Sequence, residues 1–346
     1  MDRLKLGHTD IEVADYCLGT MTYGVQTPEP DAHRQLDYSL DQGVDFLDTA
    51  EMYPVNPVRR ETIGRTEEII GNWFQKTGRR AEWVVATKHT GRSDMVRDRQ
   101  PIEPSTIVET LEGSLRRLQT DYIDVYQFHW PNRPHYHFRQ NWTFDPSGID
   151  PAMERQRMAD TMGVLKDQVD AGKIRAFGLS NDTAWGTMAW QAAAEATGGP
   201  AVSTMQNEYS LLCRHYDLDM AEVSTAEGIT LLAFSPLAAG FLTGKYQNGA
   251  VPEGSRMSLN AEMGGRKTEA VFNAVDAYLD IAKRHGIDPT HLALAWTRTR
   301  PFPTIPIFGA TTFEQLEVAF AARPVKLSDD VLNEVRKAHQ DYPIPY

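Results

Sequence analysis

Cysteine is scarce in this chain of 346 residues, with only Cys17 and Cys213 present. They form no C-x-x-C pair, so the sequence encodes neither a disulfide framework nor a zinc site. Basic charge is also short. Thirty-five Lys and Arg face 47 Asp and Glu, a formal charge of −12. That balance argues against nucleic acid and anionic membrane as partners, while leaving room for a local basic pocket. No run of about 18 apolar residues is there to span a bilayer. The opening MDRLKLGHTD lacks the apolar core of a signal peptide, so a soluble, cytoplasmic protein is expected. No G-x-G-x-x-G follows a strand-like run, and no G-x-S-x-G elbow occurs. Gly240–Lys245 (GFLTGK) approaches a phosphate loop, but its glycines are one residue too close and Tyr246 replaces the required Ser or Thr. His135-x-His137 has no third ligand nearby, and no metal site is expected.

What is there is a chain of 41% hydrophobic and 24% charged residues, long enough to bury a large core without cross-links. Short runs rich in β-branched and aromatic residues alternate with longer helical patterns. The runs are Asp15–Gly19, Val44–Asp48, Glu82–Lys88, Tyr122–His129, Ile174–Ser180, Val202–Asn207, Ile229–Ser235 and Thr304–Gly309. Helices are predicted near 30–42, 64–77, 104–118, 158–171, 183–197, 216–226, 289–299 and 312–322. Eight such units predict a parallel sheet with crossover helices, of a size suited to a closed (β/α)8 barrel. An open doubly wound sheet satisfies the same periodicity. An N-terminal β-hairpin is predicted from Leu4–Leu6 and Ile11–Val13, and two extra helices near 267–285 and 328–340. Two long connections, Trp130–Arg157 and Pro236–Arg266, have the length of binding loops. No linker divides residues 1–346, which read as a single domain.

The strand ends carry the chemistry. Asp48 closes the second run, Lys88 the third and His129 the fourth; Ser180-Asn181, Gln206-Asn207, Ser235 and Gly309 close later ones. In a parallel barrel these ends converge on one face. Any one of them alone is equally well a turn former or a helix cap. Together, Asp48 and Lys88 lie on neighbouring strands where they can pair, and Tyr53 follows in the loop above. A phenol ordinarily titrates near pH 10, and a nearby ammonium lowers that value. Tyr53 then becomes a proton donor to a developing alkoxide, and His129 a hydrogen-bond donor to the same oxygen. Such a site polarises a carbonyl and needs a hydride source.

These residues resemble the aldo-keto reductase family, a (β/α)8 barrel. The resemblance rests on Asp48–Tyr53 (DTAEMY), Lys88, Gln127–Pro131 (QFHWP), Gly172–Arg175, Gly178–Asn181, Gln206–Leu212 and Gly309–Thr312 followed by Gln315-Leu316. It covers nearly the whole chain, and Glu51–Pro54 with Gln206–Arg214 are most similar to one bacterial branch. The resemblance implies NADPH-dependent reduction of an aldehyde or ketone, a small-molecule carbonyl substrate, by a tetrad of Asp48, Tyr53, Lys88 and His129. It implies a nicotinamide site of Gly19, Thr20, Met21, Ser180, Asn181 and Gln206 with Phe234 stacked on the ring. Ser235, Pro236, Leu237, Gly240 and Lys245 would line the pyrophosphate. Gly309, Thr311, Thr312 and Gln315, with Arg256, would surround the adenosine 2′-phosphate. Trp130, Tyr136 and Trp142 would wall the substrate. Three positions depart from the pattern. Val318 and Ala319 stand where many relatives carry an adenine-binding Glu-Asn, and Gly309 where some carry a phosphate-binding Lys, which leaves NADH admissible. An NAD(P)-dependent alcohol or sugar dehydrogenase and a cofactor-sensing binding protein are the alternatives on this barrel.

Overall fold

The computed structural model describes residues 3–346. A two-stranded antiparallel hairpin, β1 (Arg3–Lys5) and β2 (Glu12–Ala14), precedes eight parallel strands. These are β3 (Cys17–Gly19), β4 (Phe46–Asp48), β5 (Val84–His89), β6 (Ile123–Phe128), β7 (Ile174–Ser180), β8 (Val202–Glu208), β9 (Thr230–Phe234) and β10 (Thr304–Phe308). They close in the order β10-β3-β4-β5-β6-β7-β8-β9, so the closed barrel holds and the open sheet does not. The intervening helices are α1 (Glu29–Asp41), α2 (Arg65–Thr77), α3 (Pro104–Leu118), α4 (Pro151–Asp170), α5 (Ala184–Thr197) and α6 (Asp219–Glu227). After β9 come α7 (Arg256–Leu259), α8 (Glu269–Arg284) and α9 (Pro289–Thr297), and after β10 come α10 (Phe313–Phe320) and α11 (Asp329–Asp341). Among the described residues no helix is long and apolar enough to cross a membrane.

The helix starts follow local chemistry. Asp150 caps α4, accepting from the Ala152 and Met153 amides, and Asp288 caps α9 in the same way before its own proline. A carboxylate at this position satisfies two amides that the helix itself leaves unbonded. The fourth helix therefore starts at 151, seven residues before the expected 158, and the connection after β6 is correspondingly shorter. Its added first turns are polar and exposed in large part, so no apolar period announced them. The short α7 inside the loop after β9 was also unexpected.

Pleating decides which strand residues enter the barrel, because successive side chains point to opposite faces. Leu47, Val85, Tyr126, Phe177, Leu179 and Met205 pack outward against the helices in one large cluster. Phe46, Ala86, Val125, Ala176 and Leu232 belong instead to a second cluster, which the hairpin residues Leu6, Ile11 and Val13 join. Two residues further along their strands, the same inward parity brings in Asp48, Lys88 and Gln127. Gly178 is the space-saving position of this interior. A methyl group there would run into the Thr204 hydroxyl and sit 3.2 Å from Gln127 Cγ.

Candidate active site

Asp48, Lys88 and His129 meet at the C-terminal rim, where the register pairs Asp48 with Ala86 and Lys88 with Gln127. Lys88 is fully buried. Its Nζ donates to Asp48 Oδ1 (2.8 Å) and Oδ2 (2.7 Å) and to the Thr49 carbonyl (2.7 Å), and lies 3.5 Å from Tyr53 Oη. Asp48 Oδ1 also accepts from Gln206 Nε2 at 2.7 Å and from Gln127 Nε2 at 3.4 Å. Tyr53 is anchored by its amide donating to the Ala50 carbonyl (3.0 Å), and its ring stands edge-on to the His129 ring at 5.8 Å. The His129 amide donates to the His89 carbonyl at 3.0 Å, which fixes it beyond the end of β6. His129 Nδ1 is buried with no partner.

Burial and charge act in opposite senses on these groups. Burial pulls the Lys88 ammonium down, but Asp48 and Tyr53 together outweigh it and the group ends above its ordinary value. Burial lifts the Tyr53 phenol above 10; Lys88 pulls it back only in part, with Asp48 adding to the rise. The expected net lowering of Tyr53 by Lys88 therefore does not occur here, because desolvation is the larger effect. His129 is held well below its usual value by burial first and by the Lys88 charge second. At neutral pH the site holds a charged Lys88, a protonated Tyr53 and an uncharged His129.

The neighbouring strand ends are partly committed to each other. Thr20 Oγ1 donates to the Asp48 carbonyl (2.8 Å), Ser180 Oγ to the Gln206 carbonyl (2.8 Å), and Asn181 Nδ2 to the His129 carbonyl (2.9 Å). Gly19 pairs with Asp48 across β3 and β4, and the Met21 carbonyl accepts from the Val55 amide (3.0 Å). Asn181 Oδ1 remains buried and unpartnered. At the end of β9, Phe234 and the following Ser235 are half-buried. The backbone then turns through left-handed conformations at Ser235 (φ 54°), Ala238, Ala239 and Gly240 (φ 98°), with Pro236 and Leu237 between them. Gly240 lies beneath Lys245, since a Cβ there would meet Lys245 Nζ at 3.0 Å. Lys245 and Arg256 form no ion pair among the described residues, while most arginines here do. Both are held below their ordinary values by burial first; Lys245 then feels Arg256, and Arg256 feels Arg266.

Beyond β10, Thr312 Oγ1 caps α10, and Gln315 Oε1 accepts from the Thr311 amide and hydroxyl, both at 3.1 Å. Gly309 leaves no room for a larger residue: a Cβ would sit 2.5 Å from the Gly19 carbonyl oxygen. The missing phosphate-binding Lys thus has a steric reason. Val318 is 43% exposed. Of the aromatic loop, Trp130 packs against His129 with ring centroids 4.8 Å apart and planes tilted by 44°. Tyr136 packs on His137 and on His215 instead, and Trp142 is 69% exposed. The structure therefore brings Trp130 against His129, while Tyr136 packs within the loop region and Trp142 faces solvent. Sequence reasoning missed Glu51, which accepts from the Thr90 amide (2.9 Å) and pairs with Arg97. That tie secures the Tyr53 loop to the end of β5. It also missed Glu208, which follows Gln206 at the same inward parity and had a signal in that spacing.

Comparison with known proteins agrees with this geometry. A model of the Aldo/keto reductase family matches residues 16–340. "Protein tas" of Escherichia coli is 44% identical over 99% of this chain and 98% of its own length. The "uncharacterized oxidoreductase YrpG" of Bacillus subtilis is 34% identical over 96% of this chain and 94% of its own. The "aldo-keto reductase yakc [NADP(+)]" of Schizosaccharomyces pombe is 31% identical over 96% and 90%. With a charged lysine and a tyrosine at the rim of a closed barrel, and with relatives of this likeness along its length, the chain belongs to the aldo/keto reductase family of carbonyl oxidoreductases.

Proposed function

We propose that the protein is an NADPH-dependent reductase of aldehydes or ketones, acting as one barrel domain, with Tyr53 the proton donor. The observation that carries this reading is the Lys88 ammonium, gripped by both Asp48 oxygens and 3.5 Å from Tyr53 Oη. The residues present fit a dinucleotide. Lys245 and Arg256 are cations without carboxylate partners, suited to phosphate. Asn181 Oδ1, buried and unpartnered, suits the amide of a nicotinamide carboxamide. Ser180 and Gln206 would support that end, Phe234 would stack on the ring, and Ser235 to Gly240 would follow the phosphates. The name of the fission-yeast relative, which includes NADP(+), supports the phosphorylated form.

When bound, the nicotinamide supplies a hydride to the carbonyl carbon. The carbonyl oxygen gains charge as this happens, and Tyr53 donates its proton there. A phenol raised by burial stays protonated through neutral pH, the form that reduction uses, and its phenolate is the form that alcohol or sugar oxidation uses. Lys88 stabilises the phenolate left behind, and Asp48 holds Lys88 charged and in place. His129, kept uncharged, donates a hydrogen bond to the substrate oxygen without repelling Lys88. Trp130, lying against His129, bounds the substrate on one side. The test is a pair of fluorescence titrations of the protein, which has seven tryptophans, with NADPH and with NADH. NADPH is expected to bind at least tenfold tighter, about 1.4 kcal/mol. Equal affinities would reject the 2′-phosphate preference, and no binding of either would reject the reductase.

A further inference from the structure

A second buried charge cluster lies at the same rim, outside the tetrad. Glu208, the last residue of β8, is 7% exposed. Its Oε1 accepts from Arg266 Nε (2.9 Å) and Tyr346 Oη (3.0 Å), and its Oε2 from Arg139 Nη1 (2.6 Å). Arg266 ends the long loop after β9, which carries Lys245 and Arg256. Arg139 comes from the loop after β6, which carries Trp130. Arg139 does more than pair with Glu208: its Nε donates to the Gly264 carbonyl of the other loop. Its own backbone is left-handed (φ 64°), a conformation costing about 1 kcal/mol or more for a residue with a Cβ and sustained only by strong local contacts.

The cluster is short of negative charge. One carboxylate serves two guanidiniums, and Arg256 stands near enough to Arg266 for their charges to repel. An anion placed on Arg256 offsets that repulsion, so that Arg266 holds more firmly the Glu208 it shares with Arg139. We infer that Arg139 is a positioning residue that ties the substrate loop to the cofactor loop through Glu208 and Gly264, so that binding a dinucleotide phosphate orders residues 130–150. The inference rests on the dinucleotide reading above. None of the proposed cofactor contacts lies between residues 131 and 150; Arg133 and His137 hold this segment to Asp182 beside Asn181, and the Arg139 tie is what joins it to the phosphate-binding loop. Coupling of this kind is reciprocal: whatever loosens the substrate loop weakens the cofactor by the same factor.

Hydrogen exchange on the whole protein, with and without saturating NADPH, tests it alongside the Arg139→Met variant. In the wild type, NADPH is expected to slow exchange of amides in 130–150 at least fivefold, roughly the low end of ordinary coupling between sites. In Arg139→Met, NADPH is expected to bind at least about fivefold more weakly and to leave 130–150 unprotected. Glu208 keeps Arg266 and Tyr346 in that variant. A wild type that binds NADPH yet shows no slowing in 130–150 overturns the tie while the cofactor reading stands, whether or not the variant folds. Unchanged affinity and protection in Arg139→Met overturn it equally. A wild type that binds no NADPH overturns both readings.

Discussion

The two faces of the barrel use the same eight strands and differ in what their inward positions hold. At the N-terminal face, Leu6, Ile11 and Val13 of the hairpin close over Cys17, Phe46, Val125, Leu232 and Ile305. The Thr230 hydroxyl accepts from the Gly7 amide (3.0 Å) and donates to the Lys5 carbonyl (3.1 Å), pinning the hairpin down. The apolar groups there find each other, and of the polar ones Trp83 Nε1, just before β5, is buried without a partner. At the C-terminal face the side-chain atoms His129 Nδ1, Asn181 Oδ1 and Asn207 Oδ1 are buried without partners. Each such atom costs about 1–3 kcal/mol. Lys245 and Arg256 add charge that no carboxylate balances. One face is built largely for folding, and the other retains destabilising features that the proposed substrate and cofactor would relieve.

The largest expected effect that separates the faces is at the rim. Tyr53→Phe should lower turnover by about 10²–10⁴, the usual contribution of a positioned acid, while NADPH affinity measured by fluorescence stays nearly constant. Retained turnover would remove the proton-donor role. At the opposite face, Leu6→Ala should destabilise by about 2–5 kcal/mol in denaturant unfolding, with kcat unchanged. A loss of turnover without a loss of stability would mean that the hairpin is no mere seal.

A smaller effect concerns acid. Burial first and the Arg97 charge second hold His89 down to about 4. The unfolded chain therefore takes up the proton first, as pH falls below about 6.5. The stability that this neutral imidazole contributes is full above that value and is lost progressively as pH drops through 4. His137, held at about 3 mainly by burial, and His129 act in the same sense. Calorimetry should show Tm falling between pH 7 and pH 5, and His89→Gln should flatten the slope. A slope unaffected by that change would place the acid sensitivity elsewhere.

The eight strands and most helices were legible because each is short, apolar and bounded by Gly, Pro or a capping residue. Asp48, Lys88 and His129 were legible as strand ends. The start of α4 was not, although Asp150-Pro151 repeats the Asp288-Pro289 signal, because the seven residues before its apolar stripe are largely exposed and four of them are polar. Trp142 read as part of an aromatic wall, yet aromatic composition does not say which way a loop side chain turns. Arg139, Glu208 and Arg266 are far apart in sequence and carry no shared spacing, so their meeting was invisible.

The sequence alone determined eight parallel strands with crossover helices, through eight buried runs alternating with helical patterns, and it placed an acid, a base and an imidazole at the ends of neighbouring strands. Both are local properties, set by period and punctuation within a few residues. Tertiary structure decided what local pattern does not contain. It set the balance of burial against charge that leaves Tyr53 raised in spite of Lys88. It decided which of three aromatics packs against His129, and which carboxylate two distant loops share. Desolvation and long-range pairing depend on everything packed around a group, and only the closed barrel brings those neighbours together.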